Sequence, residues 1–211
     1  MRVKICGITN LDDALICYEH GADALGFIFA SESPRYISSD TCAKITRALP
    51  PFCERIGVFV DLPPQQVAQI ANQCHLSAVQ LHGHIENNDY IQELARLINI
   101  PIIRAIRIQS SDVTELTQVI KLLPGDLLQA LLIDGPGKQK VPFETFNSIR
   151  NETMLPVILA GAIDAENIKT IIHELNPKSI DLCSSLESQP GKKDPDKIKR
   201  FFKEIKKVDF V

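Results

Sequence analysis

The sequence predicts a single α/β domain over residues 1–211, folded as a (β/α)8 TIM barrel. Two observations carry this expectation. Short apolar, β-branched runs alternate with amphipathic helical stretches from end to end, the pattern of a parallel sheet covered by helices. Eight such units share 211 residues, about 26 each, which a strand of about 5, a helix of about 11 and two short loops fill. A third observation excludes the main competitor. The segment after the first run, Cys6-Gly7-Ile8-Thr9, lacks the glycine-rich fingerprint that a doubly wound sheet carries there.

The elements follow in order. The first strand, 2–6, sets Val3 and Ile5 on one face and Arg2, Lys4 and Cys6 on the other. Charge and thiol on one face suit the inner face of a barrel that opens into a pocket. Asn10, with Asp13 three residues on, caps the first helix, whose stripe is Leu11, Ala14, Leu15 and Tyr18. Gly21 suits its left-handed end. Further strands are expected at 24–29, 55–60, 77–81, 101–107, 128–134, 155–160 and 179–183. Pro63-Pro64 opens the third helix, Asn87 or Asn88 the fourth, and Ser111 the fifth, with Val113, Leu116 and Ile120 turned inward. Asp164 opens the seventh, where Ile168, Ile171, Ile172 and Leu175 recur at helical spacing. Asp194-Pro195 opens the last, with Ile198, Phe201, Phe202 and Ile205 as its apolar face.

Composition narrows the function classes. A net charge of −3 without a basic stripe excludes a nucleic-acid partner. The longest apolar runs, such as 157–160, are far too short for a bilayer span. The chain starts on a strand with no signal peptide, and its six cysteines form no C-x-x-C pair. Reduced thiols and a cytoplasmic location are expected.

In a barrel of this kind the site lies at the C-terminal strand ends. Those ends carry Cys6, then Arg35 in Ser33-Pro34-Arg35, Gln80 and His82, Asp134, Gly161-Ala162, and Asp181 with Cys183-Ser184-Ser185. Parity turns Gln80 and His82 inward, and His82 is expected to be a hydrogen-bonded structural histidine. Parity also turns Lys4 and Asp181 inward on strands that become neighbours at closure. They are expected to pair, because an unpaired charge inside a barrel is expensive. Lys192 and Lys193 are expected to form a solvated face. His82 and Asp134 alone are too few for a metal site.

Five segments together resemble the phosphoribosylanthranilate isomerase family of tryptophan biosynthesis. They are Lys4-Ile5-Cys6-Gly7-Ile8, Gly26-Phe27-Ile28-Phe29 with Ser33-Pro34-Arg35, Gln80-Leu81-His82-Gly83, Leu159-Ala160-Gly161 and Pro190-Gly191-Lys192-Lys193-Asp194. The resemblance implies a barrel of the phosphate-binding type and an Amadori rearrangement of N-(5-phosphoribosyl)anthranilate, with no cofactor. It implies Cys6 as general base, Asp134 as general acid and Arg35 as the holder of the anthranilate carboxylate. Backbone N–H groups at Gly161, Ala162, Ser184 and Ser185 would take the phosphate. A monomer is the default for such stand-alone barrels, with a homodimer as the alternative.

The resemblance breaks at two places. The family's Gly-Gly-Thr-Gly after the acid is Gly135-Pro136-Gly137-Lys138 here, within a glycine-poor segment running to Phe146. Either this loop covers the same substrate differently, with Lys138 or Lys140 supplying charge, or activity has drifted toward another substrate or toward binding without turnover. Ala162 replaces a second glycine, keeping an N–H donor but losing easy access to positive φ.

Overall fold

The computed structural model describes residues 1–83, 88–108, 113–135 and 140–208. Strands β1 (Arg2–Cys6), β2 (Ala24–Ile28), β3 (Glu54–Val60), β4 (Ala78–His82), β5 (Ile102–Arg107), β6 (Ala130–Asp134), β7 (Val157–Ala160) and β8 (Ser179–Leu182) close into a barrel in sequence order. Helices α1 (Leu11–His20), α2 (Ser39–Ala48), α3 (Pro64–Gln73), α4 (Asn88–Leu97), α5 (Val113–Leu122), α6 (Phe143–Glu152), α7 (Ile168–Leu175) and α8 (Pro195–Val208) alternate with them. The seam is parallel β1 against β8, with Lys4 opposite Asp181 and Ile5 opposite Leu182.

Strand alternation builds two cores. Outward residues such as Ile5, Leu25, Phe27, Val79, Leu81 and Leu131 pack under the helices. Inward residues form a separate cluster of Ile56, Ala78, Ile103, Ala105, Ala130, Leu132 and Ala160. Four of those seven are alanines. The small side chains leave room inside the barrel for the long polar groups of Lys4 and Gln80, both buried.

The helix starts show how local chemistry sets the frame. Asn10 Oδ1 accepts the Asp13 N–H at 2.9 Å, and Gly21 ends α1 in the left-handed region at φ +119°. Pro64 opens α3 and Pro195 opens α8, which buries Ile198, Phe201, Phe202 and Ile205. Residue 87, Ser111 and the Val113 side chain lie outside the described residues; Ile120 is buried as expected.

The seventh helix shows the same device, with its regular part starting later. Asp164 Oδ1 accepts the N–H groups of Glu166 and Asn167, at 3.0 and 2.9 Å. Asn167 Oδ1 accepts the Asp164 N–H in return at 3.1 Å, and Asp164 O accepts the Ile168 N–H; Asp164 thus caps the helix start as expected, and the regular helix α7 runs from Ile168. One element has no clear sequence signal. After β8, a 3-10 turn at Ser184–Leu186 leads into a short antiparallel hairpin of β9 (Glu187–Gln189) and β10 (Lys192–Lys193).

Candidate active site

The C-terminal strand ends open on a pocket of about 460 Å³. Its wall brings together Cys6 from β1, Arg35 after β2, Gln80 and His82 from β4, Asp134 from β6, Gly161 and Ala162 after β7, and Asp181, Ser184 and Ser185 at β8. Lys4 lies one inward position below Cys6 on β1, and its Nζ donates to Asp181 Oδ2 at 2.9 Å. That is the pairing parity predicts, made in register across the barrel seam.

Cys6 sits in a polar cradle. A Cβ on Gly26, directly opposite on β2, would fall 2.7 Å from Cys6 Sγ and 3.0 Å from Lys4 Nζ. Glycine at that point makes room for both. The Cys6 thiol is held well below the ordinary thiol range, at about 5. The foremost cause is a hydrogen bond from Cys183, followed by the charges of Lys4 and Lys193, which together outweigh burial. Cys183 is driven in the opposite direction, above that range, because it keeps the proton it donates. Burial pulls the Lys4 ammonium down, but Asp181 and Cys6 hold it above the lysine range. Burial pushes the Asp181 carboxyl up to about 7 against the pull of Lys4, and Cys6 and Asp134 add to the rise. One ammonium thus serves two anions.

Lys193 corrects the expectation of a solvated face. Lys192 is exposed, but Lys193 is only 2% exposed. Its Nζ donates to Cys6 O at 2.6 Å, Cys183 O at 3.2 Å and Glu187 Oε1 at 3.1 Å. The hairpin explains the split, since successive residues of an extended segment face opposite ways. Glu187 in turn takes Arg35 side-on, with Arg35 Nε at 2.9 Å from Oε1 and Nη2 at 2.7 Å from Oε2. Arg35 and Lys193 keep the Glu187 carboxyl below its usual range despite burial. The end-on edge of the guanidinium, formed by Nη1 and Nη2, is the edge left for a planar anion.

Asp134 Oδ2 accepts from Arg107 Nε and Nη2, at 3.3 and 3.1 Å. The sequence reading passed over Arg107. Its signal was there, because Ile103, Ala105 and Arg107 alternate inward on β5 and Arg107 faces Asp134 in register. Gln80 and His82 pair with each other, Nε2 to Nε2, at 2.6 Å. Burial, then Lys4, Arg107 and Arg104, pull His82 down to about 4. It is therefore neutral at pH 7 and suits the structural role.

This shift has a stability consequence. Below pH 6.5 the unfolded chain binds a proton at His82 that the folded chain refuses, so the contribution is whole above pH 6.5 and lost as pH falls toward 4. Its size is about 3 kcal/mol. Urea titrations between pH 4 and 7 should therefore show a shallower acid loss for His82→Asn than for the parent chain; parallel curves would refute it.

At the far side of the pocket, Gly161 and Ala162 turn with φ of +92° and +48°. The expectation that Ala162 gives up positive φ is thus corrected. Alanine adopts the left-handed turn at a cost of about 1 kcal/mol, held there by Asn167 Nδ2, which donates to Ala162 O at 2.7 Å. Ser185 Oγ is buried with no hydrogen-bond partner among the described residues. Residues 136–139, including Lys138, lie outside the described residues. Lys140 is described and exposed; it borders a separate surface depression with Phe143 and Asp164. Among the described residues, no group of three or more His, Cys, Asp or Glu is placed to hold a metal ion.

A family model described as N-(5'phosphoribosyl)anthranilate (PRA) isomerase matches residues 3–204. An N-(5'-phosphoribosyl)anthranilate isomerase of Trichlorobacter lovleyi is 39% identical over 99% of this chain and 99% of its own length. The crystal structure of phosphoribosyl anthranilate isomerase from Thermus thermophilus superposes with a TM-score of 0.86 at 35% identity, covering 99% of this chain and 100% of that one. A further isomerase structure contains reduced 1-(o-carboxyphenylamino)-1-deoxyribulose 5-phosphate. It superposes at 0.85 with 34% identity and covers both chains fully.

Proposed function

The chain belongs to the N-(5'-phosphoribosyl)anthranilate isomerase family, and from that premise we propose how its pocket performs the family's reaction. The substrate is N-(5-phosphoribosyl)anthranilate and the product 1-(2-carboxyphenylamino)-1-deoxyribulose 5-phosphate, a step of tryptophan biosynthesis. Asp134 gives its proton to the ribose ring oxygen, and the ring opens to a protonated Schiff base. The Cys6 thiolate then takes the C2 proton, leaving an enolamine that tautomerises to the ketone. Proton gain and loss balance within one turnover, so no redox partner is consumed.

One observation carries this reading. A thiolate held by Cys183, Lys4 and Lys193 opens onto the same pocket as Asp134, from strands on different sides of the barrel. Environment thus drives the thiol toward the base role. Glu187 fixes Arg35 so that its free edge can take the anthranilate carboxylate end-on. The N–H groups of Gly161, Ala162, Ser184 and Ser185 serve the phosphate, and the unpartnered Ser185 Oγ supports that placement. The relative's bound compound, a reduced form of this product, fits the same chemistry. Residues 1–211 act as one catalytic unit in this reading. The six unbridged thiols favour a reducing, cytoplasmic setting.

The test is a coupled fluorescence assay in which phosphoribosylanthranilate is generated in situ and its disappearance followed. Folded protein should speed its loss in proportion to enzyme added. Tight binding without acceleration would replace this reading with that of a binding barrel.

A further inference from the structure

The β1–β8 seam pairs Lys4 with Asp181 and Ile5 with Leu182; one step on, the same register sets Cys6 beside Cys183. Both residues line the pocket. Lys193 Nζ clamps the two together, taking the carbonyl oxygen of each at 2.6 and 3.2 Å. Cys183 Sγ lies 3.9 Å from Glu187 Oε1, the same oxygen that Lys193 Nζ holds. Gly7, which separates Cys6 from the rest of the loop, lets Cys183 lean in, since a Cβ there would lie 3.0 Å from Cys183 Sγ. Neighbouring strands run about 4.8 Å apart, within the Cα separation of roughly 4.4–6.8 Å that a disulfide spans. Two thiols facing each other across neighbouring strand ends, in a pocket open to small solutes, are more than the base role requires.

We propose that Cys6 and Cys183 form a reversible disulfide, made by a peroxide and reopened by a dithiol, which silences the site. The Cys6 thiolate attacks the peroxide O–O bond; an S–O bond forms, and hydroxide leaves. The Cys183 sulfur then attacks Cys6 sulfur, the S–S bond forms, and the sulfenic hydroxyl departs as water with the Cys183 proton. The two sulfurs together lose two electrons, which reduce hydrogen peroxide to hydroxide and water. A dithiol reverses the bond by exchange and is itself oxidised.

The other cysteines provide an internal control. Cys42 and Cys74 also shift each other's ionisation, but Cys74 Sγ donates to Ser39 O at 3.3 Å, and the two sit at α2 and just after α3, away from the pocket. Burial keeps Cys17 protonated, raising it to about 12. A peroxide-reactive thiolate beside a thiol able to resolve it is thus expected at Cys6 and Cys183.

That the bond silences turnover rests on the reading of Cys6 as the base; that the bond forms does not. Reduced full-length protein is treated with hydrogen peroxide, capped with iodoacetamide, digested without reductant and mapped by mass spectrometry. A linked peptide pair containing Cys6 and Cys183 is expected. Isomerase activity should fall about tenfold or more at full linkage and return with dithiothreitol. In Cys183→Ser, Cys6 should run on to the sulfinic acid, and the lost activity should not return with dithiothreitol. Unlinked Cys6 and Cys183 peptides, or a link confined to Cys42 and Cys74, overturn the proposal. A complete Cys6–Cys183 link with undiminished turnover overturns both the silencing and the base role of Cys6, while the disulfide itself stands.

Discussion

Cys6→Ser is expected to lower kcat by about three to four orders of magnitude, near the upper end of what a positioned base contributes. Serine nearly matches the thiol in size, so Gly26 and Lys4 need not move, and the loss measures chemistry. A hydroxyl ionises far above neutral pH, and Cys183 and the cations that hold the thiol at about 5 cannot bring it into range. The parent kcat should fall on the acid side as Cys6 takes up its proton, and this limb should vanish in the variant. Unfolding should remain close to the parent's, because Lys4 keeps Asp181 and Lys193 keeps Glu187. Steady-state kinetics from pH 4 to 9, with circular dichroism as the check on folding, decide the matter. A variant keeping more than about a tenth of the parent kcat would remove Cys6 from the base role.

Asp134→Asn is expected to cost about two to four orders of magnitude in kcat. The amide keeps the shape of the carboxyl and can still bond to Arg107, but it has no proton to transfer. The loss should fall on kcat, with KM changed little. The Arg107 side chain is 59% exposed, so weakening its ion pair should change stability by less than about 1 kcal/mol. A variant keeping more than about a tenth of the parent kcat would show that another group supplies the proton.

Strict alternation of runs made the barrel readable, because each unit's length leaves space for little but a strand, a helix and their loops. Lys4 and Asp181 were readable for a related reason: parity and closure are both periodic properties. Arg107 obeyed the same parity and was passed over only because no motif drew attention to it. Lys193 was of another kind. Two adjacent lysines carry no period, and which of them turns inward depends on a hairpin whose strands span two and three residues. Two of the three partners of Lys193 Nζ are carbonyl oxygens, and backbone acceptors leave no mark on a sequence. Asp164 was readable because capping is local: its Oδ1 takes the N–H groups of Glu166 and Asn167 at the start of α7. Ala162 shows the limit of propensity, since Asn167 holds alanine in a conformation that its own backbone disfavours.

The Lys193 clamp also bears on when the protein becomes active. Cys6 is synthesised well before Glu187 and Lys193, which lie more than 180 residues further along the chain. A nascent chain lacking its final units would hold Cys6, Arg35 and Asp134 but not the ammonium between the β1 and β8 ends. Its Cys6 thiol would lack both Cys183 and Lys193, two of the groups that lower it. The environment that activates Cys6 is therefore complete only with the final hairpin.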